Sequence, residues 1–176
     1  MYQDVFDDKK QTLMRNYFQN ELAQLGVIKH HKKNELICID CGNSSFAIVL
    51  AGKVVKSIIS SKGREKLLYI LRPGEIFGEM NIIGGGSLNY VIRVKENARI
   101  SYVSKEILDQ VIEKTPSVYA YLMNSITRKF HIVLLQSTNN IFNDSRGRIA
   151  EALIRLTACS NHRDATVNVS MISTAF

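Results

Sequence analysis

The sequence predicts an α+β fold: short antiparallel strands wrapped into a sandwich, barrel or jelly roll, flanked by helices and followed by one long helix. Three observations carry this. Between Leu36 and Val103, β-rich runs alternate with Gly and Pro turn signals. Residues 8 to 25 place Leu13, Met14, Tyr17, Phe18, Leu22 and Leu25 at helical spacing. From Ser117 to about Asn143 a densely apolar stretch runs without Pro or Gly.

The elements follow in order. The first helix stops at Gly26, and HHKKNE reads as a polar turn with solvated His30 and His31. LICI is the first strand-like run, with Cys38 as a buried structural thiol. FAIVL, an Ala51-Gly52 turn and KVVKSIIS come next. KVVKSIISSKGREKLLYIL reads as a long hairpin with a Lys-Gly turn. EIFGEM, the Gly84-Gly85-Gly86 loop, NYVIRV and ARISYV complete the β-rich region. Ser104 caps a short helix, KEILDQVIEK. Thr115-Pro116-Ser117 ends it and opens the long one. Asp144-Ser145 caps a third helix, RGRIAEALIRLTA, and VNVSM is a candidate short strand.

The long helix is too apolar to be buried on one side only. One face suits the β-domain. A second stripe, Tyr119, Leu122, Ile126, Val133 and Asn140, is spaced like a coiled-coil seam and predicts a homodimer. The expected division is 1–114 for a β-barrel sensing domain with its N-terminal helix, 115–143 for the dimerisation helix and 144–176 for the start of a further domain.

Composition narrows the function. The chain of 176 residues has 45% hydrophobic and 22% charged residues, as in globular proteins. No apolar run is long enough to span a bilayer, and no signal-peptide pattern opens the chain, so a cytoplasmic location is expected. A net charge of +7 favours an anionic partner such as nucleic acid. Three cysteines, Cys38, Cys41 and Cys159, predict reduced thiols; Cys38 and Cys41 form a C-x-x-C pair, but no second pair completes a zinc site. A cupin-like enzyme needs clustered metal ligands, and the barrel region contains no His. No enzyme activity, metal or cofactor is therefore expected.

Two segments carry a family resemblance: ELICIDCGNSSFAIVLAGKVVKSIISSKGREKLLYILRPGEIFGEM and DSRGRIAEALIRL. The first resembles the hairpins of the bacterial CRP/FNR regulators, with Gly52 in the "GxV" turn and Pro73 to Glu79 in the "PGdxfGE" turn. The second resembles their inter-domain helix. The resemblance implies a double-stranded β-helix (jelly roll) of the cyclic-nucleotide-binding type, a dimerising long helix and a C-terminal winged helix-turn-helix that reads DNA. The sequence is expected to stop before that recognition helix, since ISTAF departs from the family's pattern.

The resemblance also implies a ligand site. In cyclic-nucleotide members the Gly-Glu pair, here Gly78-Glu79, precedes an Arg-Ser or Arg-Thr that clamps the phosphate. Those positions fall on Asn89 and Tyr90. The two base-contacting residues of the long helix fall on Val133 and Leu134. The effector-binding candidates are thus Gly78, Glu79, Asn89, Tyr90, Val133 and Leu134, with Tyr69, Arg93 and Phe130 as further contacts. Without arginine or base readers, the expected effector is not cyclic AMP but another small molecule, an organic acid or a phenolic compound. An iron-sulfur sensor lacks its N-terminal cysteines, and His131 is the one candidate haem ligand. Arg146, Arg148 and Arg155 are positioned to touch DNA backbone in a longer relative. The expected function is the sensing and dimerising region of a transcription regulator. The alternatives are a stand-alone binding and dimerising module and a cyclic-nucleotide-binding protein.

Overall fold

The structure is a computed structural model; it describes residues 7–38, 45–83 and 90–158. Helix α1 (Asp8–Asn20) is capped by the Asp7 carboxylate, which accepts from the Lys9 and Lys10 amides. A 3₁₀ turn at Leu22–Leu25 follows, then strands β1 (Val27–His31), β2 (Leu36–Ile37), β3 (Ser45–Ile59), β4 (Glu65–Leu71) and β5 (Ile76–Phe77). A short helix α2 (Glu79–Ile83) leads to β6 (Tyr90–Ser104), then α3 (Lys105–Lys114), α4 (Val118–Phe142) and α5 (Ser145–Ala158).

All strand pairs are antiparallel, in the order β1-β6-β3-β4, with β2 on β6 and β5 on β3. The expected jelly-roll class is observed. The two fifteen-residue strands, β3 and β6, are its spine. Each crosses what the sequence reads as a turn. Ala51-Gly52 does not end a strand: β3 continues through register shifts between Val49 and Val54. Gly52 has φ +83°, and a Cβ there would run into the Asn97 carbonyl, so glycine is required at the bulge. NYVIRV and ARISYV are likewise one strand.

Alternation along β3 builds two cores. Ala47 and Val49 face an inner core with Leu71, Phe77, Ile92, Val94 and Ile100. Phe46 and Ile48 face an outer core with Met14 and Phe18 of α1, Leu108 of α3 and Val118 and Leu122 of α4.

Other expectations are refined. The helix over residues 8 to 25 breaks at Glu21 into an α-helix and a 3₁₀ turn. Gly26 is needed because the β6 backbone passes close to it, at the Tyr102 carbonyl, not for a left-handed cap. His31 is no loop residue: it sits in β1, where Nδ1 pairs with Glu35 at 2.7 Å and Nε2 with the Tyr102 hydroxyl at 2.9 Å. Cys38 lies past the end of β2, exposed and disulfide-bonded, instead of a buried reduced thiol. The exposure follows from the short strand: β2 covers only Leu36–Ile37, so Cys38 has no inward-facing strand position. The hairpin β3–β4 forms as expected, with Gly63 at φ +73°. Ser104 caps α3 and Asp144 caps α5, its carboxylate accepting from the Gly147 amide at 2.8 Å. Cys41, the triple glycine, Asn89, Cys159 and VNVSM lie outside the described residues. Among the described residues no helix is long and apolar enough to cross a membrane.

Candidate effector site

The turn at residues 72 to 79 is where the roll meets α4. Gly74 (φ +79°) and Gly78 (φ +89°) let the chain reverse twice in five residues. This leaves Glu75 and Glu79, each 2% exposed, pointing into protein. Burying a carboxylate is costly unless it is paired, and α4 supplies a cation to each from consecutive positions.

Glu75 accepts from Arg15 of α1 at 2.6 Å and from Arg128 of α4 at 2.9 Å, both on Oε1. Its Oε2 accepts the Arg72 amide at 3.0 Å. Glu79 accepts the Lys129 ammonium on Oε1 at 2.7 Å, and the same ammonium donates to the Ile76 carbonyl at 2.8 Å. Burial pushes the Glu79 carboxyl upward, but the charge and hydrogen bond of Lys129, with the charge of Lys56 behind it, hold it below the ordinary carboxylate value. Its second oxygen, Oε2, is buried with no hydrogen-bond partner among the described residues.

Two tyrosines and a second lysine complete the site. The Lys56 ammonium lies 4.0 Å from the Tyr90 ring centroid and 6.0 Å from that of Tyr69. Lys129 lies 5.8 Å from the Tyr69 centroid on its own account. The Tyr90 hydroxyl donates to Asn81 of α2 at 3.0 Å. Burial, and then the nearby Glu79, push the Tyr69 phenol far up, so it stays protonated. Ile132 and Val133 of α4 close the site by packing on the inner core, and Gln136 donates to the Leu68 carbonyl.

Of the residues the sequence singled out, Glu79, Tyr69, Tyr90 and Val133 come to this one place, and Gly78 turns the chain toward it. Leu134 is 45% exposed and Phe130 60% exposed, so neither side chain is buried in the site. Arg93 faces Glu65 across the sheet at 3.6 Å. The candidate seam residues are placed differently from one another. Leu122 is 1% exposed in the outer core, and Val133 packs on the inner one. The exposed apolar stripe is Tyr119, Met123, Phe130, Leu134 and Ile141, shifted round the helix from the predicted one. Asn140 is exposed and Ile126 half-buried.

Sequence reasoning missed Lys56, Glu75, Arg128 and Lys129. One signal was present for Lys56: it shares the parity of Val54, an inner-core residue. For Arg128 and Lys129 no local signal exists, because their partners lie some fifty residues away.

Residues 28–115 match the cyclic nucleotide-binding domain family. The cAMP-activated global transcriptional regulator CRP of Haemophilus influenzae is 29% identical over 136 residues, covering 77% of this chain and 61% of the relative. The CRP-like cAMP-activated global transcriptional regulator of Mycobacterium tuberculosis is 30% identical over 114 residues, covering 62% of this chain and 49% of the relative. The chain thus spans less than two thirds of the length of these relatives. Among solved structures, CprK complexed with OCPA superposes with a TM-score of 0.70 at 19% identity, over 93% of this chain and 76% of that one. The c-di-GMP responsive regulator CLP of Xanthomonas campestris gives 0.69 at 16% identity, over 92% of this chain and 76% of that one. These curated relatives are transcription regulators. With the jelly roll, the Gly78-Glu79 turn and the long helix in place, this chain belongs to the cyclic nucleotide-binding domain family, and it is similar over that length to the regulators of the CRP/FNR type.

Proposed function

We propose that these residues are the effector-sensing and dimerising region of a cytoplasmic transcription regulator. A small molecule bound at Glu79, Tyr69 and Tyr90 changes how α4 is held, and two paired α4 helices pass that change to the DNA-reading elements. One observation carries this reading: Arg128 and Lys129, adjacent on α4, are each bound to a buried carboxylate of the turn at residues 72 to 79. A ligand that engages Glu79 therefore acts directly on the helix. The net charge of +7 suits a DNA partner, and the reading leaves base contacts to a helix-turn-helix of the kind the resemblance implies.

The occupant proposed for the exposed stripe of α4 is a second copy of this chain. Tyr119, Met123, Phe130, Leu134 and Ile141 recur at spacings of four, seven, four and seven, which keeps them on one narrow face of a helix with 3.6 residues per turn, where a second copy can pack. Phe130→Asp is expected to convert a dimer to a monomer in light scattering. A dimer that survives this change would remove the stripe from the interface.

The effector proposed is not a cyclic nucleotide. Val133 is packed on the inner core, Leu134 is half exposed, and neither carries a group to hydrogen-bond a base. The second reading, cyclic AMP, is favoured by the cAMP-activated relatives. Calorimetric titration with cyclic AMP decides: no saturable heat is expected, and micromolar affinity would replace the first reading with the second.

A further inference from the structure

We propose that Glu35, His31 and Tyr102 form a pH-sensitive latch on the end strand β1, in which a proton taken up by His31 shifts its tie from Tyr102 of β6 to Glu35 of the following turn.

β1 ends the strand order, and among the described residues its one strand partner is β6. Its ladder covers five residues, so side-chain ties count for more there than along the fifteen-residue strands. His31 closes that ladder opposite Ala98. Its side chain is 10% exposed, and both ring nitrogens are engaged, Nδ1 with Glu35 Oε1 and Nε2 with the Tyr102 hydroxyl. Tyr102 in turn packs on the inner core. The three side chains thus join a surface turn, an end strand and the core.

Proton counting fixes the direction of each bond. The hydrogen bond from His31, and then that from the Lys32 amide, hold the Glu35 carboxyl below its ordinary value, so it can only accept. Burial, and then the charge of Glu35, push the Tyr102 phenol up to about 12, so it keeps its proton. A neutral His31 therefore carries its proton on Nδ1, for Glu35, and its bare Nε2 accepts from the phenol. A second proton can go only onto Nε2. The phenol must then accept where it donated, and its own proton loses its acceptor. The imidazolium meanwhile faces Glu35 as an ion pair, with a stronger, charge-assisted bond.

The surrounding charges are few. Lys29 of β1 lies 5.3 Å from the Tyr102 ring centroid and opposes a second cation there. Glu35, whose Oε2 is fixed by the Lys32 amide at 2.8 Å, attracts it. Lys32 and Lys33 are exposed in the turn. Ala98 and Ala47, opposite His31 and Tyr102 across the sheet, carry no charge. His30 points to the other face of β1, opposite Arg99.

Two double-mutant cycles on the 176-residue chain test the latch by urea unfolding at about pH 8 and about pH 5.5, the span in which histidine gains charge. Both conditions lie above the range in which the lowered Glu35 carboxyl titrates. His31→Gln with Tyr102→Phe is expected to show a coupling of about two- to tenfold in the folding constant at the higher pH, the net worth of one hydrogen bond. That coupling should drop below about twofold in acid. His31→Gln with Glu35→Gln should show the reverse, a coupling that grows in acid. Nitrogen-15 NMR of the His31 ring in the unaltered chain reads the same event, with a proton on Nδ1 alone at the higher pH and on both nitrogens at the lower. Where His31→Gln does not fold, the NMR reading decides. A proton on Nε2 in the neutral ring, an imidazole still neutral at about pH 5.5, or couplings that do not change with pH would overturn the proposal.

Discussion

Glu75 and Glu79 sit four residues apart in one turn, equally buried, each facing a cation from the same stretch of α4. Yet they are used differently. Glu75 is closed: two arginines and a backbone amide satisfy both its oxygens. Glu79 is open: one lysine holds Oε1, and Oε2 has no partner among the described residues. Arginine offers a rigid fork and ties α1, the roll and α4 together at Glu75. Lysine is a point charge on a flexible stem, and it can follow Glu79 if a ligand draws the carboxylate away. The first carboxylate is a fastener and the second a contact that can change hands.

Breaking the fastener should give the largest effect. Glu75→Ala leaves Arg15 and Arg128 without their buried partner and is expected to cost roughly 3–5 kcal/mol in urea unfolding. A loss under about 1 kcal/mol would mean that water reaches the arginines and that the turn is looser than drawn. Glu79→Gln should cost less, about 1–3 kcal/mol, since the amide oxygen can still accept from Lys129. If it instead destabilises as much as Glu75→Ala, the two carboxylates are both structural and the contrast fails.

Acid sharpens the comparison. The folded carboxyl of Glu79 is held below its ordinary value of 4.5. The unfolded chain therefore takes up the proton first, and the stability due to this pair is complete above about pH 4.5 and fades as pH falls through the lower folded value. Stability measured from pH 7 to pH 3 should thus fall more for the wild type than for Glu79→Gln; parallel curves would show that the pair does not titrate as a unit. The smallest effect is expected at the surface. Lys53 and Glu96 pair at 2.6 Å across β3 and β6, but both are about half exposed, so Lys53→Ala should change stability by less than about 1 kcal/mol.

Much of this architecture is legible one residue at a time. Ser104 and Asp144 announce helix starts because capping is a contact within three residues. Gly63 marks the β3–β4 turn for the same local reason. The Gly52 bulge misleads because its cause is remote: only the approach of Asn97 distinguishes it from a turn. Burial along α4 is hidden in a related way. Leu122 and Met123 are both apolar, and which one the roll covers depends on how α4 docks.

Composition, periodicity and turn chemistry alone determined an antiparallel sandwich, barrel or jelly roll between helices and the long helix; the family resemblance narrowed it to a jelly roll and picked out Glu79 as a candidate ligand contact. Those properties depend on neighbours a few bonds away. The tertiary structure alone decided that Lys56 is buried beside two tyrosines, that Arg128 and Lys129 clasp Glu75 and Glu79, and that one oxygen of Glu79 is left over. A side chain's charge is written in its sequence position, but its partner and its exposure to water are set by chain segments fifty residues away.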